Sequence, residues 1–171
     1  MKAVWKRIHT WLDENAPAGY GNLRPGASAD AISAAEKAMK LTLPRDVKAS
    51  YRVHDGQKLE PGLIGGEGWM LLPLRDIVKV WRKWSRANPN DAHYVPIARI
   101  GAGDYIFLNL DPDSEDPGCL MIQRKDSDDP DPFMPSFSSW LRDFADQLEE
   151  GEFAYSEEDG EIMYADEIDF D

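Results

Sequence analysis

Apolar residues recur at helical spacing in five stretches of the chain, and short β-rich runs lie between them. Val4, Trp5, Ile8, Trp11 and Leu12 follow the i, i+3, i+4, i+7 spacing of one helix face, and Asn15 with Pro17 closes the pattern. A Gly-rich link from Ala18 to Gly26 follows. Ser28 is placed to cap a second helix through its hydroxyl, with Ile32, Ala35 and Met39 as the buried stripe. Leu43-Pro44 opens a third helix, with Pro44 at the first helical position, where a missing amide proton costs nothing, and Val47 and Tyr51 on its apolar face. It is predicted to run to about Val53. A fourth helix starts near Leu74 and aligns Ile77, Trp81 and Trp84. A fifth begins after the cap Ser136, buries Phe137, Trp140, Leu141, Phe144 and Leu148, and stops at Gly151.

Between the helices, Leu63-Ile64 and Trp69 to Leu72 read as short strands around the flexible segment Gly65 to Gly68. Those glycines do not make a phosphate loop, which needs a Gly-Lys-Ser/Thr ending and an immediate helix. Tyr94 to Ala98, Tyr105 to Leu110 and Cys119 to Gln123 carry the β-branched and aromatic content of strands and are predicted to form a meander. Phe153 to Glu157 and Glu161 to Tyr164 flank Asp159-Gly160, a hairpin signal.

The 171 residues suit one domain with a real core, anchored by six Trp, six Phe and six Tyr. Charge interrupts the first residues before an apolar run of signal-peptide length develops, and no later run approaches membrane-spanning length, so a cytoplasmic location is expected. Cys119 stands alone and cannot form an internal disulfide; in its β-rich run it reads as a small buried hydrophobe. The net charge of −13 becomes informative once it is located. Thirteen of the 32 acidic residues lie between Asp143 and Asp171, where there is no Lys or Arg, so the first 142 residues carry 19 acidic and 19 basic groups. A neutral body with an acidic end bears on partners and solubility, not on fold.

Candidate chemistry is sparse. His54-Asp55-Gly56 sits where the third helix ends: a partial positive charge on His54 suits the negative end of the dipole, and Gly56 can take the left-handed conformation that stops a helix. A hydrolase using Asp55, Asp104 and His54 around a metal is the catalytic alternative, but no nucleophile or second base accompanies them. The acidic loops do not match a calcium-binding hand: a loop begun at Asp126 has Asp131 and Phe137 at its sixth and twelfth positions, and one begun at Asp111 has Asp116 and Ile122. His9, His54 and His93 lack metal-ligand spacing, so neither a metal nor a cofactor is expected. Lys79, Arg82, Lys83 and Arg86 beside the fourth helix's tryptophans read as a solvated face, and the acidic end argues against direct nucleic-acid binding. One local rule is broken. Glu149 and Glu150 sit in the last turn of the fifth helix, where a carboxylate is unfavourable by a few tenths to about 1 kcal/mol.

Several short pieces resemble the SUKH superfamily, the domain of the fungal Smi/Knr cell-wall regulators and of many bacterial immunity proteins. They are Leu23-Arg24-Pro25-Gly26-Ala27-Ser28, Leu43-Pro44, Tyr51-Arg52-Val53-His54-Asp55-Gly56-Gln57, Gly103-Asp104-Tyr105 leading into Leu108-Asn109-Leu110-Asp111-Pro112, and Pro135-Ser136-Phe137 with Trp140-Leu141. Together they span roughly residues 1 to 155, in family order. Two positions depart from the pattern: Asn109 stands where a carboxylate is common, and Lys40 where a helix-ending Gly is common.

The resemblance implies an α+β fold in a single domain, with an antiparallel sheet of several strands surrounded by about five helices. It places a SUKH-like domain at residues 1–155 and an acidic hairpin or tail at 156–171, packed on the same domain or trailing from it. It also implies no enzymatic activity. His54, Asp55, Gly56, Gly103 and Asp104 would then be structural motif residues, and the function would be that of an immunity protein neutralising a cognate bacterial toxin. The alternative is a regulatory protein-interaction scaffold like the fungal members. An acidic surface suits the first role, because a basic nuclease toxin presents cationic side chains to it and on-rates rise with complementary charge. The expected contact residues are Glu149, Glu150, Glu152, Glu157, Glu158, Asp159, Glu161, Asp166, Glu167, Asp169 and Asp171. The partner expected is a basic protein domain, with neither nucleic acid nor membrane in contact.

Overall fold

Helix α1 (Lys2–Asn15) buries Trp5, Ile8 and Leu12, one stripe of a 3.6-residue repeat. The computed structural model describes residues 1–58, 61–101, 103–127 and 129–168. A one-turn helix, α2 (Pro17–Tyr20), occupies the start of the predicted link, with Pro17 in its first turn. In α3 (Ala29–Met39) the Ser28 hydroxyl accepts the Ala31 amide at 3.1 Å, as its cap position predicts. That helix ends on Lys40 in the left-handed region, φ 56, so the side chain found in place of a glycine sits on strained backbone. Helix α4 (Arg45–Tyr51) starts one residue later than predicted, with Pro44 at its cap position, and stops two residues short of Val53.

The main sheet is an antiparallel meander in the order β1-β2-β3-β4-β5. Its strands are β1 (Met70–Leu71), β2 (Tyr94–Ile100), β3 (Asp104–Asn109), β4 (Leu120–Gln123) and β5 (Asp131–Met134). Alternation divides its two faces: Ile106, Leu108, Leu120 and Ile122 enter the main core, while Phe107 and Met121 pair on the opposite face. Helix α5 (Leu74–Ala87) sends Leu74 and Ile77 into the core and lays Trp84 over Phe107, with ring centroids 4.7 Å apart. Helix α6 (Phe137–Glu150) buries Phe137, Trp140, Leu141, Phe144, Ala145 and Leu148, and packs against α1 and α4. The hairpin β6 (Phe153–Ser156) and β7 (Glu161–Tyr164) forms its own two-stranded sheet, anchored in the core by Phe153 and Ile162. The fold is α+β, with six α-helices among the described residues.

Two strand expectations change. Leu63-Ile64 is buried but not a strand. Met70-Leu71 pairs with Arg99 and Ala98 across the sheet instead of folding back over the glycines. The segment 63–68 is a loop packed beneath α6 and β6: a Cβ on Gly65 would lie 2.2 Å from the Trp140 ring, and one on Gly66 2.4 Å from Phe153. Strand β5 begins at Asp131, where the acidic loop ends, in a stretch that no strand pattern marks. Its Asp131-Pro132 reads as a turn, yet an edge strand tolerates a residue that donates no amide. Cys119 is half-buried immediately before β4, not a core hydrophobe.

Candidate functional site

The stretch from Tyr51 to Gln57 is tied on all sides. The Tyr51 hydroxyl donates to the Leu72 carbonyl at 2.7 Å, and the Tyr51 carbonyl accepts from Ala27 at 2.8 Å. Full burial pushes the Tyr51 phenol well above its ordinary range, so it stays a donor. The Asp55 amide donates to the Pro25 carbonyl at 3.1 Å and the Arg24 amide to the Gly56 carbonyl at 3.0 Å, which binds the segment before α3 to this joint. Asp55 serves a distant helix: its Oδ1 accepts the Leu74 amide at 2.8 Å, capping the first turn of α5, whose own cap residue Pro73 has no side chain for the task. The other carboxylate oxygen lies 3.7 Å from Arg24 Nε. Gly56 is left-handed, φ 66, but the helix has already ended at Tyr51, so it turns the chain rather than stopping α4. Gln57, buried, presents Oε1 to the amides of Leu63 and Leu71 at 3.4 and 3.1 Å. The sequence offered no signal for that role beyond a polar residue at the end of the motif.

His54 does not act as the expected dipole cation. Its ring meets His9 of α1, Nε2 to Nε2 at 2.7 Å, and its Nδ1 lies 2.6 Å from the Arg24 carbonyl. A carbonyl only accepts, so Nδ1 carries the proton and Nε2 accepts from His9. Both imidazoles are neutral in this arrangement. Burial lowers both pKa values; the neighbouring His54 lowers that of His9 further against a smaller opposing effect of Asp13, and the Arg24 carbonyl partly opposes the shift of His54. Trp5 and Tyr20 pack on the pair. Because both folded-state values lie below the 6.5 of the unfolded chain, the unfolded chain takes up protons first as the pH falls through that range. The stability conferred by the neutral pair is therefore complete above 6.5 and is lost as the pH falls from there toward the folded-state values. The urea midpoint is expected to fall between about pH 7 and about pH 5.5, and less steeply in His9→Gln. Parallel pH profiles for the two proteins would contradict this.

Asp104 accepts the Lys125 amide at 2.7 Å and lies 3.9 Å from Arg124, which locks the turn after β4 onto the start of β3. Gly103 packs against the Lys125 side chain. Asn109, at the position that departs from the resembled pattern, accepts the Asp111 amide at 3.0 Å. His54, Asp55 and Asp104 thus face different partners, and no group of three or more His, Cys, Asp or Glu able to hold a metal occurs among the described residues.

The broken rule at the end of α6 has a tertiary cause. Arg7 of α1 donates from Nε to Glu149 Oε1 at 2.8 Å and from a terminal nitrogen to Asp146 at 2.6 Å. The hydrogen bond to Arg7 holds the Glu149 carboxyl below its ordinary range, and these bonds raise the Arg7 pKa in turn. Glu149 is therefore engaged within the molecule. Asp159 is partly engaged too: its Oδ2 accepts the Ser156 hydroxyl at 2.7 Å within the hairpin turn. Glu161 is half-buried, and burial raises its pKa. Glu150, Glu152, Glu157, Glu158, Asp166 and Glu167 are exposed, while Asp169 and Asp171 lie outside the described residues. Burial raises the Tyr164 phenol, and Glu67, Glu152, Glu167 and Asp143 add to the shift. The Ala165 amide bonds the Glu152 carbonyl at 2.9 Å, which closes the hairpin back onto the end of α6.

A meander sheet wrapped by helices, with its motif side chains used on backbone groups and its acidic residues turned outward, defines a compact α+β domain. The chain belongs to the SMI1/KNR4 family (SUKH-1), whose family model matches residues 26–143. That match runs from the entry to α3 into α6 and leaves the β6–β7 hairpin beyond it. Over 91 residues the chain is 32% identical to a glucan synthesis regulatory protein of Neurospora crassa, a stretch that is 52% of this chain and 17% of that protein. It is 28% identical over 91 residues to the cell wall assembly regulator SMI1 of Saccharomyces cerevisiae, covering 51% of this chain and 18% of the relative. It is also 36% identical over 66 residues to F-box only protein 3 of Mus musculus, or 38% of this chain and 14% of the mouse protein. The chain thus corresponds to under a fifth of the length of each of these relatives. No helix among the described residues is long and apolar enough to cross a membrane.

Proposed function

We propose that this protein is a non-catalytic regulatory domain that binds a basic protein partner through its acidic end. The observation that carries the proposal is the acidic surface formed by the end of α6 and the β6–β7 hairpin, a stretch with no Lys or Arg after Arg142. Phe153 and Ile162 hold that surface on the core, so its carboxylates are presented without the entropy cost of ordering a free tail. The relatives named as regulators of glucan synthesis and cell-wall assembly favour regulation over toxin neutralisation. Neutralisation of a basic toxin domain is the second reading, since the same surface would occupy a phosphate-binding face and speed association by about 10 to 1,000-fold.

Removing the hairpin would take Phe153 and Ile162 out of the core, so the test is charge reversal. The tagged full chain is used to recover partners from cells of its source, and the recovered partner is purified and titrated with parent and variant. Binding is expected to weaken at least about tenfold between about 50 and about 300 mM salt, and to weaken similarly when Glu157, Glu158, Asp166 and Glu167 are changed together to lysine. A partner held equally by parent and quadruple variant, at both salt concentrations, would overturn the role of the acidic end. If the partner is an enzyme inhibited by the domain, neutralisation replaces regulation.

A further inference from the structure

The sheet face opposite the main core is only half covered. Cross-strand register places Phe107, Met121 and Pro132 side by side on β3, β4 and β5. Trp84 of α5 roofs Phe107, but Met121 and Pro132 border a pocket of about 540 Å³, within the range that takes a small ligand or a few side chains. Its walls are mostly apolar, and soft. Phe133 and the two sulfur atoms of Cys119 and Met121, 3.6 Å apart, contribute surfaces that adapt to different shapes. Among the described residues, the charged ones in its lining are Glu115 and Asp116. Nearby, burial raises the Tyr94 phenol, and Asp91, Cys119, Asp111 and Asp129 add to the shift.

One polar group inside the pocket lacks a good partner. Asn109 is 5% exposed; its Oδ1 is used by the Asp111 amide, while among the described residues its Nδ2 has only Cys119 Sγ at 4.0 Å, the outer limit for a bond to sulfur. A buried amide donor in this state favours an acceptor that reaches it. Strand β5 is the sheet edge, but Pro132 and Pro135 in and beside it donate no amide, so an added strand would find an interrupted ladder. Recognition there falls to a side chain entering from the face.

We propose that this half-open face is a second docking site, and that its occupant is a peptide segment with one large unbranched apolar side chain between lysine or arginine residues. The apolar side chain lies against Met121, Pro132 and Phe133, a backbone carbonyl of the segment accepts from Asn109 Nδ2, and the basic flanks meet Glu115 and Asp116. This rests on the protein-binding role proposed above, and adds to it a short linear element of the partner, recognised apart from the acidic end.

The test titrates the full chain into a fluorescein-labelled pentapeptide with a single central Met flanked by Lys-Arg on both sides, followed by fluorescence anisotropy. A control peptide replaces the Met with Ser, and a second replaces the basic flanks with glutamates. Both controls are expected to bind at least about tenfold more weakly. In the protein, Met121→Glu and the exposed double change Glu115→Lys/Asp116→Lys are each expected to weaken the parent peptide at least about tenfold, whereas Glu157→Lys/Glu158→Lys leaves it within about twofold. The double change lies on the surface, so it reports on the site even if Met121→Glu fails to fold. Unchanged affinity in the double variant, or no binding at about 1 mM, overturns the docking site. Neither result touches the acidic end, whose own failure is read from the partner titration with the quadruple hairpin variant.

Discussion

Gly56→Ala is expected to unfold the domain or to remove about 4 kcal/mol or more of its stability, a large share of the roughly 5–15 kcal/mol that holds a domain together. Two effects add. Gly56 has φ 66, where an L side chain is strained by about 1–2 kcal/mol. The new Cβ would also lie 2.5 Å from Pro73 N, 2.6 Å from Leu72 C and 2.7 Å from Leu71 O, all of them backbone atoms that cannot rotate away. Those atoms belong to the segment joining β1 to α5, so relieving the clash means separating the joint from the sheet. Gly151→Ala is the control: it shares the left-handed conformation, φ 76, but nothing lies within 4 Å of its added Cβ, so only about 1–2 kcal/mol is expected. Urea unfolding followed by tryptophan fluorescence distinguishes them. Equal losses at the two positions would refute the close approach as the cause.

The second large effect is expected at Gln57→Leu, about 2–4 kcal/mol. Leucine is similar in volume and apolar, so the substitution keeps the packing and removes the acceptor shared by the Leu63 and Leu71 amides. Two donors are then buried without a partner, at about 1–3 kcal/mol each for a good bond and less for the longer one. The Gln57 amide also donates to the Leu71 carbonyl at 2.9 Å, so β1 is held to this residue twice and only the side-chain half is lost. Hydrogen exchange should report the loss locally, as faster exchange of the Leu71 amide relative to β3. A loss below about 1 kcal/mol with unchanged exchange would mean that water replaces the carbonyl oxygen. Together the two substitutions assign the family-motif stretch a mechanical role: it holds the end of α4, the segment before α3, β1 and the start of α5 in register. His54 joins the assembly through His9, and Asp55 through the Leu74 amide.

Much of the fold was legible because much of it is periodic. Helices α1, α3, α5 and α6 each place large apolar residues three and four apart, and Ser28 and Ser136 cap two of them through their hydroxyls. Strands β2, β3 and β4 were visible because consecutive antiparallel strands joined by short connections need only local pairing. The SUKH resemblance, carried by short motifs, agrees with the family match over residues 26–143. What failed was non-periodic. The strand at Met70–Leu71 was expected but its partner was not, since two residues are too few to show what they pair with, and β5 carries a proline that reads as a turn until its edge position is known. The loop 63–68 is apolar because Trp140 and Phe153 cover it, not because it forms a strand.

The candidate sites divide along the same line. Composition located the acidic end, and the hairpin signal at Asp159-Gly160 placed it on ordered structure. It could not tell which carboxylates were already in use: Arg7 lies 142 positions from Glu149. Likewise His9 and His54 are 45 positions apart and share no motif, yet meet at 2.7 Å, and His54 helps to lower the pKa of His9. The half-open sheet face could not be seen at all, because it depends on where α5 stops covering the meander. The sequence by itself determined the elements, their order and the separation of charge, since each follows from the conformational preferences and burial of neighbouring residues. Tertiary structure alone decided which polar groups are partnered and which surfaces remain open, because a hydrogen bond or an ion pair depends on separation in space, and the fold sets that separation independently of distance along the chain.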